Sequence, residues 1–408
     1  MTLQAAVAIG LILVGTFLDV PIAVILGLVT LALETVRLVW ARRGLAGVQY
    51  RRQLARQRVT WGDEIPLTVE VWNRQRLPLA WLRADDTVAP GVVVRERSLV
   101  SGDLGPALRN VWTLAPFERV VRRFHVGAEH RGAFELGPVE LSAGDLFARR
   151  AVLEERPGVD RFLVRPRTVR APGLRRRDQW GGLDRAASGL TEDPSRFAGV
   201  RVYMPGDPLR RIHARTSARL RRPMTKRFEP SRDREVLIAL DVQTGSAPAW
   251  NLSIDDDAVE ALVVIAASLA RSLATEGAAF GLSAAGYSGT ERRLAHLPVS
   301  SAPGQLERVL DLLARLSSEP SAAFEQLLSM IARVARPGTT IVVISARDPR
   351  PFAGHLRRLE RRGCPIVILA CGPEAPAAVA VARAAGFAAR SARLDGPWRT
   401  AEGMLVSR

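Results

Sequence analysis

The first 33 residues contain a single charged side chain, Asp19. Such a segment cannot remain dissolved as a helix without covering its apolar surface, so it constrains everything that follows. Residues 1–18 are uncharged, Asp19-Val20-Pro21 interrupts, and Pro21 to Leu33 is apolar again before Glu34 and Arg37. As helices, Met1 to Leu18 would rise about 27 Å and Pro21 to Trp40 about 30 Å, close to the hydrocarbon thickness of a bilayer. The expectation is a transmembrane helical hairpin over 1–40, with one long tilted or interfacial helix as its alternative. Met1 to Gly10 lacks the basic region of a cleaved signal peptide. Glu34 and Arg37, three residues apart, can pair on one helix face. Arg42, Arg43, Arg51, Arg52, Arg56 and Arg58 follow. By the positive-inside rule they stay in the cytoplasm, which predicts two spans in a bacterial cytoplasmic (inner) membrane with the soluble body on the cytoplasmic side.

From Val48 to about Arg165 the apolar period becomes two. Leu67, Val69 and Val71 share a face, and similar alternation recurs at Val120 to Val126 and Phe134 to Leu141. Gly, Pro and Asp punctuate these runs, which predicts an antiparallel β-sandwich over 41–165. Asp63, Asp85, Asp86 and Asp103 read as turn and edge residues. Residues 161–234 hold twenty basic against seven acidic side chains, so +13 of the total +17 is concentrated there. Only Lys226 is a lysine. The charge is therefore guanidinium, suited to forked contacts with carboxylate or phosphate. A basic linker is expected over 166–234.

Beyond Glu235 apolar strands alternate with helices: Val236 to Leu240, Ala258 to Leu273, Phe280 to Ala284, Gln305 to Leu316, Ala322 to Val334, Thr339 to Ser345, His355 to Arg362, Pro365 to Ala370 and Ala377 to Ala385. This pattern predicts a mostly parallel sheet covered on both faces over 235–408. In such sheets ligands bind beyond the carboxyl ends of strands, here around Asp241 and Ser345. The whole is thus an α+β multidomain chain. Cys364 and Cys371 lie in one apolar run with no His beside them and read as packing residues.

Asp207-Pro208 reads as a helix cap followed by Pro at the first helical position, after which Arg211, Arg215, Arg219 and Arg222 would line one face. That stripe could hold phosphates, a partner's acidic side chains, or the protein's own carboxylates. His213 reads as a helix-surface residue.

The segment from Arg201 through Gly206-Asp207, Arg210, Arg211, Arg215, Ser217 and Arg219, then Lys226 to Glu229 and a strand ending in Asp241, resembles the domain of unknown function 58 family. His130 to Leu141, continuing to Gly144-Asp145-Leu146-Phe147, is similar to that family's strand pair before the basic linker. The resemblance implies a membrane-anchored protein with a Rossmann-like von Willebrand factor A-type domain, and a partner among MoxR-type AAA+ ATPases and other membrane proteins. Two departures stand out: Ala214 where the family usually has tryptophan, and Asp241-Val242-Gln243-Thr244-Gly245 where a metal-ion-dependent adhesion site would read Asp-x-Ser-x-Ser. Both serine positions are lost. Thr244 and Ser246 are out of register, and Ser345 and Asp348 are the remaining donors for Mg²⁺. Ala346-Arg347, however, puts a cation where a metal would sit. No cofactor is expected.

The function expected is a non-enzymatic, membrane-tethered interaction or scaffold protein in a chaperone or assembly system with such an ATPase. A basic module binding anionic lipid or another polyanion is the alternative, with nucleic acid disfavoured because few aromatics interleave the arginines. An enzyme, metal-dependent or otherwise, ranks last: there is no Gly-x-Ser-x-Gly, His-Glu-x-x-His or P-loop, and the chain has only five His.

Overall fold

The computed structural model describes residues 3–144, 151–171, 192–204, 211–230, 235–244, 255–288, 291–320 and 322–407. Two compact units divide the chain, Met1–Val164 and Arg165–Arg408.

Unit one opens with α1 (Leu3–Phe17) and α2 (Pro21–Arg43). Between them Asp19 takes a left-handed φ of 54°, which Asp tolerates better than most residues, and Pro21 begins α2 with its φ already helical. The two helices meet along a seam of small residues. A Cβ on Gly27 would lie 2.6 Å from Ile12 Cγ1 and 2.8 Å from the Ala8 carbonyl oxygen, and one on Gly15 would lie 2.9 Å from Ala23 Cβ. Glycine is what permits this approach, as in helix pairs that associate in lipid. Large apolar side chains point outward, with Phe17 90%, Ile22 78% and Leu13 63% exposed. Glu34 is buried, and the Arg37 side chain lies outside the described residues. α1 is shorter than the sequence suggests, with 15 residues and a rise of about 22 Å, whereas α2 has 23 residues and a rise of about 34 Å. Among the described residues the helix long and apolar enough to cross a membrane is Asp256–Thr275, and 67% of that stretch is buried in unit two, as expected for a core helix.

The rest of unit one is two antiparallel sheets. Its strands are β1 (Val48–Leu54), β2 (Arg58–Thr60), β3 (Ile65–Asn73), β4 (Leu79–Val88), β5 (Val92–Val94), β6 (Val100–Gly102), β7 (Gly105–Leu114), β8 (Arg119–Ala128), β9 (Gly132–Gly144), β10 (Ala151–Arg156) and β11 (Asp160–Arg165). One sheet runs β1-β3-β8-β5, the other β2-β11-β9-β4-β7-β6, with β10 added to β9. Ile65, Leu67, Val69 and Val71 alternate inward along β3 and join Leu82, Leu108, Leu136 and Leu141 in one apolar core. Asp85 and Asp86 are not turn residues. Both sit in β4, an interior strand of the second sheet, and are 6% and 1% exposed.

Unit two contains a two-stranded ribbon, β12 (Glu192–Val202) and β13 (Met224–Pro230), with α3 (Ala214–Leu220) between them in sequence. Next comes β14 (Glu235–Leu240), α4 (Asp256–Thr275), β15 (Ala279–Ser288), β16 (Glu291–Ser300), α5 (Gln305–Arg315), β17 (Leu316–Pro320), α6 (Phe324–Val334), β18 (Thr340–Ser345), α7 (Ala353–Arg361), β19 (Ile366–Ala370), α8 (Ala375–Ala384), β20 (Ala388–Leu394) and β21 (Met404–Ser407). The sheet order is β16-β15-β14-β18-β19-β20-β21, parallel from β15 to β20 with an antiparallel strand at each edge. Every residue of β18 and β19 is buried, the pattern of strands covered on both faces. Phe324, Leu327, Ile331, Leu356, Leu359 and Ala382 pack from α6, α7 and α8 into one core with these strands. α4 starts where its acidic run predicts: the Ala258 N–H donates to Asp255 Oδ1 at 3.0 Å, and Asp256 and Asp257 occupy the first turn. The edge strands β16 and β21, and β20 beside β21, carry Arg, His and Ser and have no clear signal in the sequence.

Candidate site at the strand switch point

β14 and β18 are adjacent and parallel, and β15 lies on the far side of β14. The chain order therefore reverses between β14 and β18, and the crevice beyond their carboxyl ends is the place where an open α/β sheet receives ligands. Asp241 and Ser345 stand there. The Asp241 N–H donates to the Ile344 carbonyl at 2.9 Å, which fixes the aspartate beside the end of β18.

Asp241 is fully buried. Its Oδ2 accepts from Ser345 Oγ at 2.9 Å and from Arg347 Nε at 2.8 Å, and its Oδ1 accepts from the Gln243 N–H at 3.1 Å. Ser345 Oγ in turn accepts from the Arg347 N–H at 3.1 Å. The Arg347 side chain is 11% exposed, with Nη2 3.9 Å from Glu325 Oε1 and its guanidinium 5.7 Å from the centre of the Phe352 ring. Burial pushes the Asp241 carboxyl up, and the Arg347 guanidinium and the three hydrogen bonds offset only part of that.

Four of the five metal candidates lie among the described residues. Asp241 and Ser345 are together, but both act toward Arg347. Asp348 is committed to Arg350, accepting from its N–H at 2.9 Å and its Nε at 2.7 Å, and these bonds hold its carboxyl below the usual range. Thr244 is half-buried just beyond β14, and Ser246 lies outside the described residues. Among the described residues no group of three or more His, Cys, Asp or Glu could hold a metal ion. The donor set beside Asp241 does not fit Mg²⁺, which needs near-octahedral oxygen lone pairs where Arg347 presents N–H groups.

The basic motif is organised differently from the stripe its spacing suggests. Asp207 and Arg210 lie outside the described residues, and α3 begins only at Ala214. His213 is its cap, with Nδ1 accepting from the Thr216 N–H at 3.2 Å. Arg211 precedes the helix and Arg222 follows it, so only Arg215 and Arg219 share a helical face. Ser217 ties the module together: its Oγ donates to the His213 carbonyl at 2.9 Å and accepts from the Met224 N–H at 2.9 Å. α3 has no buried residue, and Arg215, Arg219, Arg221 and Arg222 are exposed near Leu220.

Two buried polar clusters escaped sequence reasoning. In unit one Arg52 Nη1 donates to Asp86 Oδ1 at 2.8 Å and the Tyr50 hydroxyl donates to Asp86 Oδ2, joining β1 of one sheet to β4 of the other. Beside it Arg109 grips Asp85 with Nε and Nη2, both at 2.8 Å. In unit two Ser283 Oγ and His296 Nδ1 are 2.8 Å apart on paired strands, and burial lowers the His296 pKa.

Among known proteins, the chain is 27% identical over 248 residues to the Bacillus subtilis (strain 168) protein called uncharacterized protein YeaD. That match covers 59% of this chain and 57% of the relative, so the chain spans little more than half of that protein's length. Among solved structures, an Escherichia coli alpha-2-macroglobulin fragment matches 31% of this chain and 17% of its own, at 22% identity and a TM-score of 0.22. A CARDB domain from Pyrococcus furiosus matches 29% of this chain and 91% of its own, at 13% identity and a TM-score of 0.20. Likenesses that low carry nothing for fold or function. The family described as protein of unknown function DUF58 matches residues 199–369, which run from the end of β12 through β19 and take in α3, Asp241 and Arg347.

Proposed function

We propose that this protein is a membrane-tethered scaffold that works by binding other proteins, with the hairpin α1–α2 in a bacterial cytoplasmic membrane and the sheets in the cytoplasm. The observation that carries the reading is the outward-facing apolar surface of the hairpin, where Leu13, Phe17 and Ile22 are exposed around a glycine seam. A surface of that kind is stable only when lipid or protein covers it. α1, with 15 residues, is short for an average bilayer, a mismatch met by local thinning or by flanking residues reaching the interface. The arginines after α2 favour the cytoplasmic side for the body. The strand order and the placing of Asp241 at the switch point support a von Willebrand factor A-like reading of β14–β21, a binding-type fold. The resemblance adds a MoxR-type AAA+ ATPase as partner, and no enzymatic role is assigned. Cross-linking in native membranes tests this: recovery of an AAA+ ATPase is expected, and its absence with ATP present overturns that partner. Extraction of the protein from membranes by salt alone overturns the tether.

A second reading rests on α3. Arg215, Arg219, Arg221 and Arg222 are exposed, and Val202, Met204 and Leu220 are 45%, 63% and 46% exposed in the same short module. Guanidinium groups interleaved with apolar side chains suit an anionic membrane surface, where each basic residue adds about 1 kcal/mol. Binding of the protein to anionic over neutral liposomes, weakening with salt, is expected. Equal binding to both excludes it.

A further inference from the structure

A divalent ion at this pole would need lone pairs directed at one point. The side chains supply the opposite. Asp241 receives three donors, the Gln243 N–H, the Ser345 hydroxyl and Arg347 Nε–H. Ser345 Oγ gives its proton to Asp241 and takes the Arg347 N–H, so its own lone pairs face the arginine backbone. To seat Mg²⁺ against Asp241, the protein would have to expel a guanidinium that is 11% exposed, gripped by a carboxylate at 2.8 Å and flanked by Glu325 and the Phe352 ring. Removing the cation from a buried pair leaves an uncompensated carboxylate, and a small hydrated ion cannot reproduce the hydrogen bonds of Nε–H.

We propose that Arg347 is the resident cation of the switch-point pole, occupying covalently the place a divalent ion would take, so that the pole's charge and shape do not depend on metal. Its consequence for docking rests on the scaffold reading above: a partner engaged through this pole stays bound when divalent ions are chelated.

Thermal unfolding of the detergent-solubilised full chain in EDTA and in excess Mg²⁺ or Mn²⁺ tests the proposal without any partner. The wild-type midpoints are expected to coincide. A saturable rise with either ion that Asp241→Asn abolishes overturns the proposal, whereas a rise that survives Asp241→Asn arises at another site and supports it. Arg347→Gln is expected to lower the midpoint, and Asp241→Asn/Arg347→Gln to lower it by less than the two single changes together. Additive losses overturn the pairing. Where Arg347→Gln does not fold, Arg347→Lys serves instead: it keeps the charge, and its midpoint is expected to be lower than wild type yet still indifferent to Mg²⁺. A Mg²⁺-dependent midpoint in Arg347→Lys that disappears in Arg347→Lys/Asp241→Asn overturns the proposal, because a covalently held cation then does not keep metal from Asp241. Capture of cross-linked partners with and without EDTA completes the test. Capture in neither condition defeats the scaffold reading and leaves the metal result standing, and capture lost only in EDTA overturns the proposal.

Discussion

Two buried carboxylates meet two buried guanidinium groups in this protein, and they are not equivalent. Asp86 lies between the two sheets of unit one, held by Arg52 and Tyr50 from β1, with Arg52 also reaching the Gly158 carbonyl and Asp160. Asp241 lies at a strand end in unit two, held by Ser345 and by Arg347, which comes from the loop after β18. The first pair joins two sheets, with side chains 5% and 1% exposed; in the second the aspartate is covered and its arginine is 11% exposed. Identical chemistry thus serves a joint in one unit and an edge in the other. A crevice that receives ligands must keep one member of its pair within reach of solvent, and only the pole does so.

The sharpest way to break this contrast is to remove each cation. Arg52→Ala strands a carboxylate in the interior, and a loss of about 3–5 kcal/mol is expected from denaturant unfolding. Arg347→Ala is expected to cost about 2–3 kcal/mol, since water can enter from the arginine's side and hydrate part of the freed carboxylate. If the two losses are equal, or their order is reversed, the pole is as closed as the joint and loses its claim to be a binding crevice.

Removing the neutral donors sharpens the same contrast at lower amplitude. Tyr50→Phe takes one donor from Asp86, and Ser345→Ala one from Asp241. Each is expected to cost about 1.5–2 kcal/mol, the lower part of the range for a hydrogen bond to a charged group. Combined with the arginine variants, Ser345→Ala should be the more strongly non-additive, because Ser345 also receives the Arg347 N–H whereas Tyr50 makes no contact of that kind with Arg52. Double-mutant cycles on both pairs measure this.

How much of this was readable beforehand depends on the range over which each signal acts. β3, β8 and β9 announce themselves by period-two alternation, and β14, β18 and β19 by unbroken apolar runs, because each records local burial. Asp85 and Asp86 resemble a turn when read locally, since Ala-Asp-Asp-Thr gives no hint of arginines 24 and 34 residues away across the sheets. Arg347 is the opposite case: a cation two residues past the end of β18 reaches the aspartate of β14 because the two strands are neighbours, an order that placing Asp241 and Ser345 at one site assumed and the alternation alone does not fix. The helix start read at Asp207-Pro208 lies outside the described residues; the described helix α3 takes His213 as its cap, with Ser217 tied to β13. β20 shows no unbroken buried run, since only Ala389 and Ala392 of its residues are buried.

The smallest effect separates the units by acidity. Burial depresses the His296 pKa, so the folded α/β unit resists the proton that the unfolded chain accepts. The sign follows directly: above the unfolded value of about 6.5 both states are neutral and the full stability is present, while below it the unfolded state binds more protons and stability falls. That loss continues until the depressed folded value is reached. Carboxylates enter later. Arg350 holds Asp348 low and Trp398 holds Asp257 low in unit two, so their contribution is present above the unfolded carboxylate range and is lost as pH drops through their lowered values. On acidification from neutrality, hydrogen exchange resolved by segment should therefore show β15 and β16 losing protection first, with a slope below about 1.4 kcal/mol per pH unit. His296→Gln, which can still donate to or accept from Ser283, is expected to flatten that early slope and leave the later one unchanged. An early slope that survives the substitution would trace the sensitivity to groups other than the Ser283–His296 pair, and an early loss confined to unit one would reverse the order of the two units.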